Sequence, residues 1–69
     1  MTKTLEQITK MNYLGHFTNA WGERNEMYES GIDGTCYDVV YDSNDELVMI
    51  CTLDIDDDEM MPIEILYRA

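Results

Sequence analysis

The sequence predicts an α+β fold: an N-terminal helix, or two short helices, packed on a three-stranded antiparallel β-meander. Three observations predict it. Apolar residues recur at helical spacing through residues 4–29. Gly31, Asp33 and Gly34 then stop the helical pattern. Three runs of strand length and strand composition follow, at about 35–41, 47–53 and 62–68. The whole chain of 69 residues reads as a single small acidic domain.

The helical segment opens on Thr4 and Gln7, spaced as a capping box in which hydroxyl and amide each accept from a free backbone N–H. Leu5, Ile8, Met11 and Leu14 recur every three residues. Phe17, Ala20, Trp21, Met27 and Tyr28 continue at helical spacing, with Glu23, Glu26 and Glu29 mostly on other faces. Leu5 and Trp21 do not share one narrow stripe, and Gly15 sits where the phase changes. One long helix with a broad apolar face and two helices meeting near Gly15–His16 both satisfy the pattern. Gly22 weakens the second half by about 1 kcal/mol relative to Ala. Phe17, Trp21 and Tyr28 form an aromatic stripe of the kind that usually packs into a core.

The first two strands frame Asp42-Ser43-Asn44-Asp45, which is good turn chemistry. A hairpin centred there pairs Val40 with Leu47, Asp38 with Met49 and Cys36 with Cys51. One face then carries Cys36, Val40, Leu47, Met49, Cys51 and Leu53, interrupted by Asp38. The other carries Tyr37, Val39, Tyr41, Val48 and Ile50. A single helical layer cannot cover two apolar faces, so the surplus face is a candidate dimer surface. The third run alternates Ile63, Ile65 and Tyr67 with Glu64, Leu66 and Arg68. Pro62 limits it to a strand start or an edge.

Charge is the strongest functional signal. Residues 36–69 hold ten carboxylates against one cation, Arg68, and the whole chain carries −11. Such a chain repels nucleic acid and anionic membrane, and is drawn to basic surfaces at rates that fall with salt. No direct nucleic-acid or membrane contact is expected. A hydrophobic content of 45 % is too high for a disordered acidic tail, so the charge belongs to the surface of a folded domain. No apolar run has the length of a signal peptide or a membrane span. A cytoplasmic setting is the expectation.

The run Asp54–Glu59 is the densest part of this charge. Asp54, Asp56 and Asp58 alternate like the first ligands of a calcium loop, but Glu59 stands where such a loop needs Gly and Ile65 where it needs Glu. No metal and no cofactor is therefore expected. Electrostatic mimicry fits better. Duplex DNA carries a phosphate every ~3.4 Å along each strand, and alternate residues of an extended chain lie ~6.8 Å apart on one side. Asp54, Asp56, Asp57, Asp58 and Glu59 would form the main contact with a basic partner, with Asp42, Asp45 and Glu46 in support. Tyr37 or Tyr41 would anchor its rim, Tyr being enriched at binding hot spots.

The remaining candidates point away from catalysis. Cys36 and Cys51 lack a CxxC or zinc pattern, leaving either a cross-strand disulfide or two small buried hydrophobes. His16, the sole histidine, has no Ser-His-Asp or Cys-His pattern around it. An enzyme is not expected. In size and charge the chain resembles the small inhibitor proteins encoded by bacteriophages and other mobile elements. That resemblance implies a host target, such as a CRISPR effector, a restriction enzyme, a polymerase or a nuclease, bound in the host cytoplasm by imitation of nucleic acid. The alternative is a homodimeric structural or regulatory protein that uses the apolar sheet face, its charge serving solubility.

Overall fold

The computed structural model describes residues 5–53 and 62–69. It is dominated by one five-stranded antiparallel sheet in the order β1-β2-β3-β4-β5. The strands are β1 (Asn12–Thr18), β2 (Arg24–Glu29), β3 (Cys36–Tyr41), β4 (Leu47–Leu53) and β5 (Pro62–Arg68). One short helix, α1 (Leu5–Thr9), precedes them. The helical expectation for residues 4–29 is thereby corrected: two strands and the turn that joins them occupy most of it, and the sheet has five strands rather than three.

The physical reason lies in three places. Asn12–Thr18 is rich in aromatic and β-favouring residues, but it is an edge strand exposed at nearly every position. With little to bury, it carries only a weak alternation of apolar and polar residues. Arg24–Glu29 has the Glu, Met and Arg content of a helix. It is nonetheless paired on both sides, with Tyr28 opposite Tyr13 on β1 and opposite Tyr37 on β3. Tertiary pairing overrides a weak helical preference here. Finally, Asn19–Glu23 is a turn. Asn19 N donates to Glu23 O at 3.0 Å, and Gly22 N donates to Asn19 O at 3.1 Å. Gly22 has φ 79°, the left-handed conformation that closes a three-residue hairpin loop.

The same turn is built a second time without glycine. Asp42 N donates to Glu46 O at 2.9 Å and Asp45 N to Asp42 O at 3.0 Å, with Asp45 at φ 65°. In each turn the first side chain holds the loop. Asn19 Oδ1 accepts from Trp21 N (2.9 Å) and Glu23 N (3.0 Å). Asp42 Oδ1 accepts from Asn44 N (2.8 Å) and Glu46 N (3.0 Å). Both turns lie at one end of the sheet. The β2–β3 turn, closed by Ser30 N to Thr35 O (2.9 Å) and Gly34 N to Ser30 O (3.0 Å), lies at the other.

The β3–β4 register also differs from the expected one. Val40 faces Met49, Asp38 faces Cys51 and Cys36 faces Leu53, with an irregularity between Val40 and Tyr41. Each partner is displaced by two residues: one comes from the three-residue loop and one from the bulge that makes Val48 an extra residue. Cys36 and Cys51 therefore do not face each other, and both are buried thiols outside any disulfide.

Two apolar clusters lie on opposite faces of the sheet. Ile8 of α1 is fully buried against Tyr37, Val39 and Ile50, with Leu5, Met11, Tyr28, Tyr41, Leu47 and Leu66 around them. This is the face that was expected to remain open for a dimer. The helix covers it with a single turn, Ile8 seating on β3 and β4 and Leu5 packing beside it. Cys36, Cys51 and Leu53, with Met27 and Met49, form the second cluster on the other face.

Candidate interaction surface

The sheet end that carries the two matched turns gathers most of the described groups suited to recognition. The β1–β2 loop lifts Trp21 off the sheet, where it is 83 % exposed. Its backbone is fixed by Asn19 Oδ1, and the Asn19 amide also donates to Glu23 Oε1 at 2.9 Å. Trp21, Glu23, Val40, Val48, Met49 and Arg68 line a groove of about 450 Å³. The groove's apolar wall comes from β3 and β4, and the bulge is what turns Val48 toward it. Asp42, Asp45 and Glu46 stand on the neighbouring turn at the same end.

Each carboxylate of that turn has a distinct situation. Asp42 is half-buried and spends one oxygen on two backbone donors. Asp45 is exposed and accepts from Arg24 Nη1, forming an ion pair that links the β3–β4 turn to β2. The Arg24 guanidinium also lies over the Tyr41 ring, 4.8 Å from its centroid. Glu46 is exposed. Tyr41 is half-buried and engaged by Arg24, while Tyr37 is 6 % exposed beneath α1 and offers no ring to a rim. The expected main contact, Asp54, Asp56, Asp57, Asp58 and Glu59, lies outside the described residues, as does the calcium-like alternation within it.

The described residues hold ten carboxylates and three Lys or Arg side chains. Two of those cations are already paired: Lys10 with Glu6 at 3.3 Å and Arg24 with Asp45. The free field is therefore more one-sided than the count suggests. Among the described residues, no group of three His, Cys, Asp or Glu is placed to hold a metal ion. No described helix is long and apolar enough to cross a membrane.

Two further ionisable clusters are built by the sheet. On the face shared with α1, Tyr13 Oη donates to Glu26 Oε1 at 2.9 Å and lies 3.1 Å from His16 Nδ1. Partial loss of hydration where the hydroxyl meets its neighbours, and then the Glu26 hydrogen bond, push the Tyr13 hydroxyl above its usual range although the ring is half exposed. His16 is thus an exposed member of a β1–β2 cross-strand set. On the other face, Asp38 is 5 % exposed between Met27 on β2 and Cys51 on β4. Its Oδ1 has no hydrogen-bond partner among the described residues. Burial pushes its carboxyl up to about 6.

No family model, curated protein or solved structure matches the chain. The surface must be read from its own chemistry. Sequence reasoning placed Trp21 in a helical core stripe and missed its role at a hairpin tip. The signal was present: Asn19 and Gly22 flank Ala20-Trp21 at the spacing of a three-residue hairpin loop.

Proposed function

We propose that this chain is a small acidic interaction protein that docks on a basic, nucleic-acid-binding surface of a partner and occupies it in place of nucleic acid. The observation that carries this reading is the charge. The chain carries a net −11 on 69 residues, and its described cations are largely held by its own carboxylates. Glu46 and the Asp54–Glu59 run supply the negative field, and the field steers association with a cationic groove. The partner classes that fit are a CRISPR effector, a restriction enzyme, a polymerase or a nuclease, and the setting that fits is the cytoplasm of a host cell. The role is inhibition by binding, without catalysis.

The homodimer alternative has less support. Of the set Tyr37, Val39, Tyr41, Val48 and Ile50, three side chains are packed in the core under α1 and Tyr41 borders it. The test of the acidic reading is affinity capture from lysate of a host cell at low and at high salt. Retention of a nucleic-acid-processing complex at low salt, released at high salt, is the expected result. Retention that is indifferent to salt overturns the electrostatic reading.

A further inference from the structure

We propose that the groove beside Trp21 is the seat for an arginine side chain of the partner's basic surface. The inference rests on the acidic docking role and names the contact that gives it specificity beyond charge. Trp21 is 83 % exposed, the largest aromatic group in the chain, and its position is fixed by the Asn19 side chain rather than left to a free loop. With its backbone N–H held by Asn19 Oδ1, the residue has already lost backbone freedom that binding would otherwise remove. Beside it, Val40, Val48 and Met49 give an apolar wall. Glu23 stands at the rim on the Trp21 side, and Arg68 on the far side, its Nη2 3.9 Å from Met49 Sδ.

This arrangement matches the three parts of an arginine. The guanidinium is planar and weakly hydrated, so it stacks on an indole face while still donating in its own plane. The aliphatic stem covers the Val48 and Met49 side chains. The outward N–H groups meet Glu23, the one carboxylate that lines the groove. A neutral apolar side chain would satisfy the wall but would leave Glu23, and the −11 of the chain as a whole, without a counter-charge. Charge complementarity thus selects a cation. Arginine is selected over lysine because a compact, strongly hydrated ammonium gains less from the indole. Arg68 is on β5 and Trp21 in the β1–β2 turn, toward opposite edges of the sheet, so the incoming cation takes the Trp21–Glu23 side. The nearby Arg24 is already neutralised by Asp45 and engaged by Tyr41.

Trp21 is the only tryptophan, so its emission reports on this site alone. The experiment titrates the full chain with three capped peptides of equal length, bearing four arginines, four lysines or four glutamines among serines. The expected result is a saturable shift in Trp21 emission with the arginine peptide and a several-fold weaker response to lysine. By calorimetry, Trp21→Ala should weaken the arginine peptide about 5- to 10-fold, the scale of a partly exposed cation–aromatic contact. Trp21→Phe should recover part of that loss. Because Trp21 is exposed, neither change should alter the fold, which far-UV circular dichroism checks.

Salt-sensitive binding of both cationic peptides, with Trp21 emission unmoved and Trp21→Ala unaffected, overturns the groove assignment and leaves the acidic docking role standing. Absence of binding to either cationic peptide at low salt overturns both. Equal emission shifts with arginine and lysine overturn the arginine assignment.

Discussion

Asp38 and Cys51 face each other across β3 and β4, and burial drives both toward their neutral forms. The carboxyl rises to about 6 and the thiol to about 11, the nearby Asp38 charge adding to the effect on Cys51. Both lie on the sheet face opposite α1, with Met27 completing the rung at Asp38. An acid in such a place opposes folding whenever it must ionise.

The pH dependence follows from the sign. The native carboxyl sits above its ordinary value of 3.8, so the native state binds more protons than the unfolded chain between 3.8 and about 6. The stability this neutral carboxyl contributes is fully present below 3.8 and is lost as pH rises through about 6. Asp38→Asn should flatten that part of the profile. Against wild type it should gain up to about 3 kcal/mol between pH 4 and pH 8, by linkage. Urea melts of both proteins across this range check it. Parallel profiles would mean that Asp38 is solvated or paired.

The thiols should be silent in the native protein. Cys36 and Cys51 are buried, and Cys51 is held far from its thiolate. A chromogenic thiol reagent at pH 8 should count two thiols in denaturant and react with neither at a useful rate without it. Rapid native labelling of Cys51 would contradict the burial.

Ile8 is the pin that holds α1 to the sheet. It is fully buried against Tyr37, Val39 and Ile50. Ile8→Ala should cost about 2–5 kcal/mol, the usual range for truncating a fully buried aliphatic side chain. Because α1 is a single turn, loss of this contact should release the helix and expose Tyr37. Chemical denaturation and tyrosine emission report the two effects.

The matched turns make opposite predictions for two glycine changes. Gly22 is at φ 79° with open space around it, so Gly22→Ala should cost about 1 kcal/mol through backbone strain alone. Asp45 holds the same conformation at φ 65° with a side chain present. Asp45→Gly should relieve that strain while removing an exposed ion pair worth about 0–1 kcal/mol, leaving stability nearly unchanged. Thermal melts of the two variants separate these cases.

The last three strands were legible because they are β-branched runs bounded by turn residues. β3 and β4 carry the burial that generates a pattern, as at Val39, Val40, Ile50 and Cys51, while the exposed β5 was legible from the alternation of Ile63, Ile65 and Tyr67 after Pro62. The first two strands were not legible. Tyr13, Leu14 and Phe17 belong to an exposed edge, and the Glu-Met composition of β2 signals helix until pairing with β1 and β3 decides otherwise. Phe17, Trp21 and Tyr28 fall at helical spacing but lie on an edge strand, a loop tip and an inner strand. The Asp42–Asp45 turn was legible from its residues. The bulge at Val48 was not, since it depends on which partner residue Tyr41 meets, and it moved the register by one residue beyond the one that the three-residue loop adds.

The most direct test of the acidic docking role is competition. Labelled duplex DNA or RNA is bound to the partner retained at low salt, and the protein is titrated in at several salt concentrations. Stoichiometric displacement of the nucleic acid, with an affinity that falls steeply as salt rises, is the predicted result. A ternary complex in which protein and nucleic acid are bound together would contradict it.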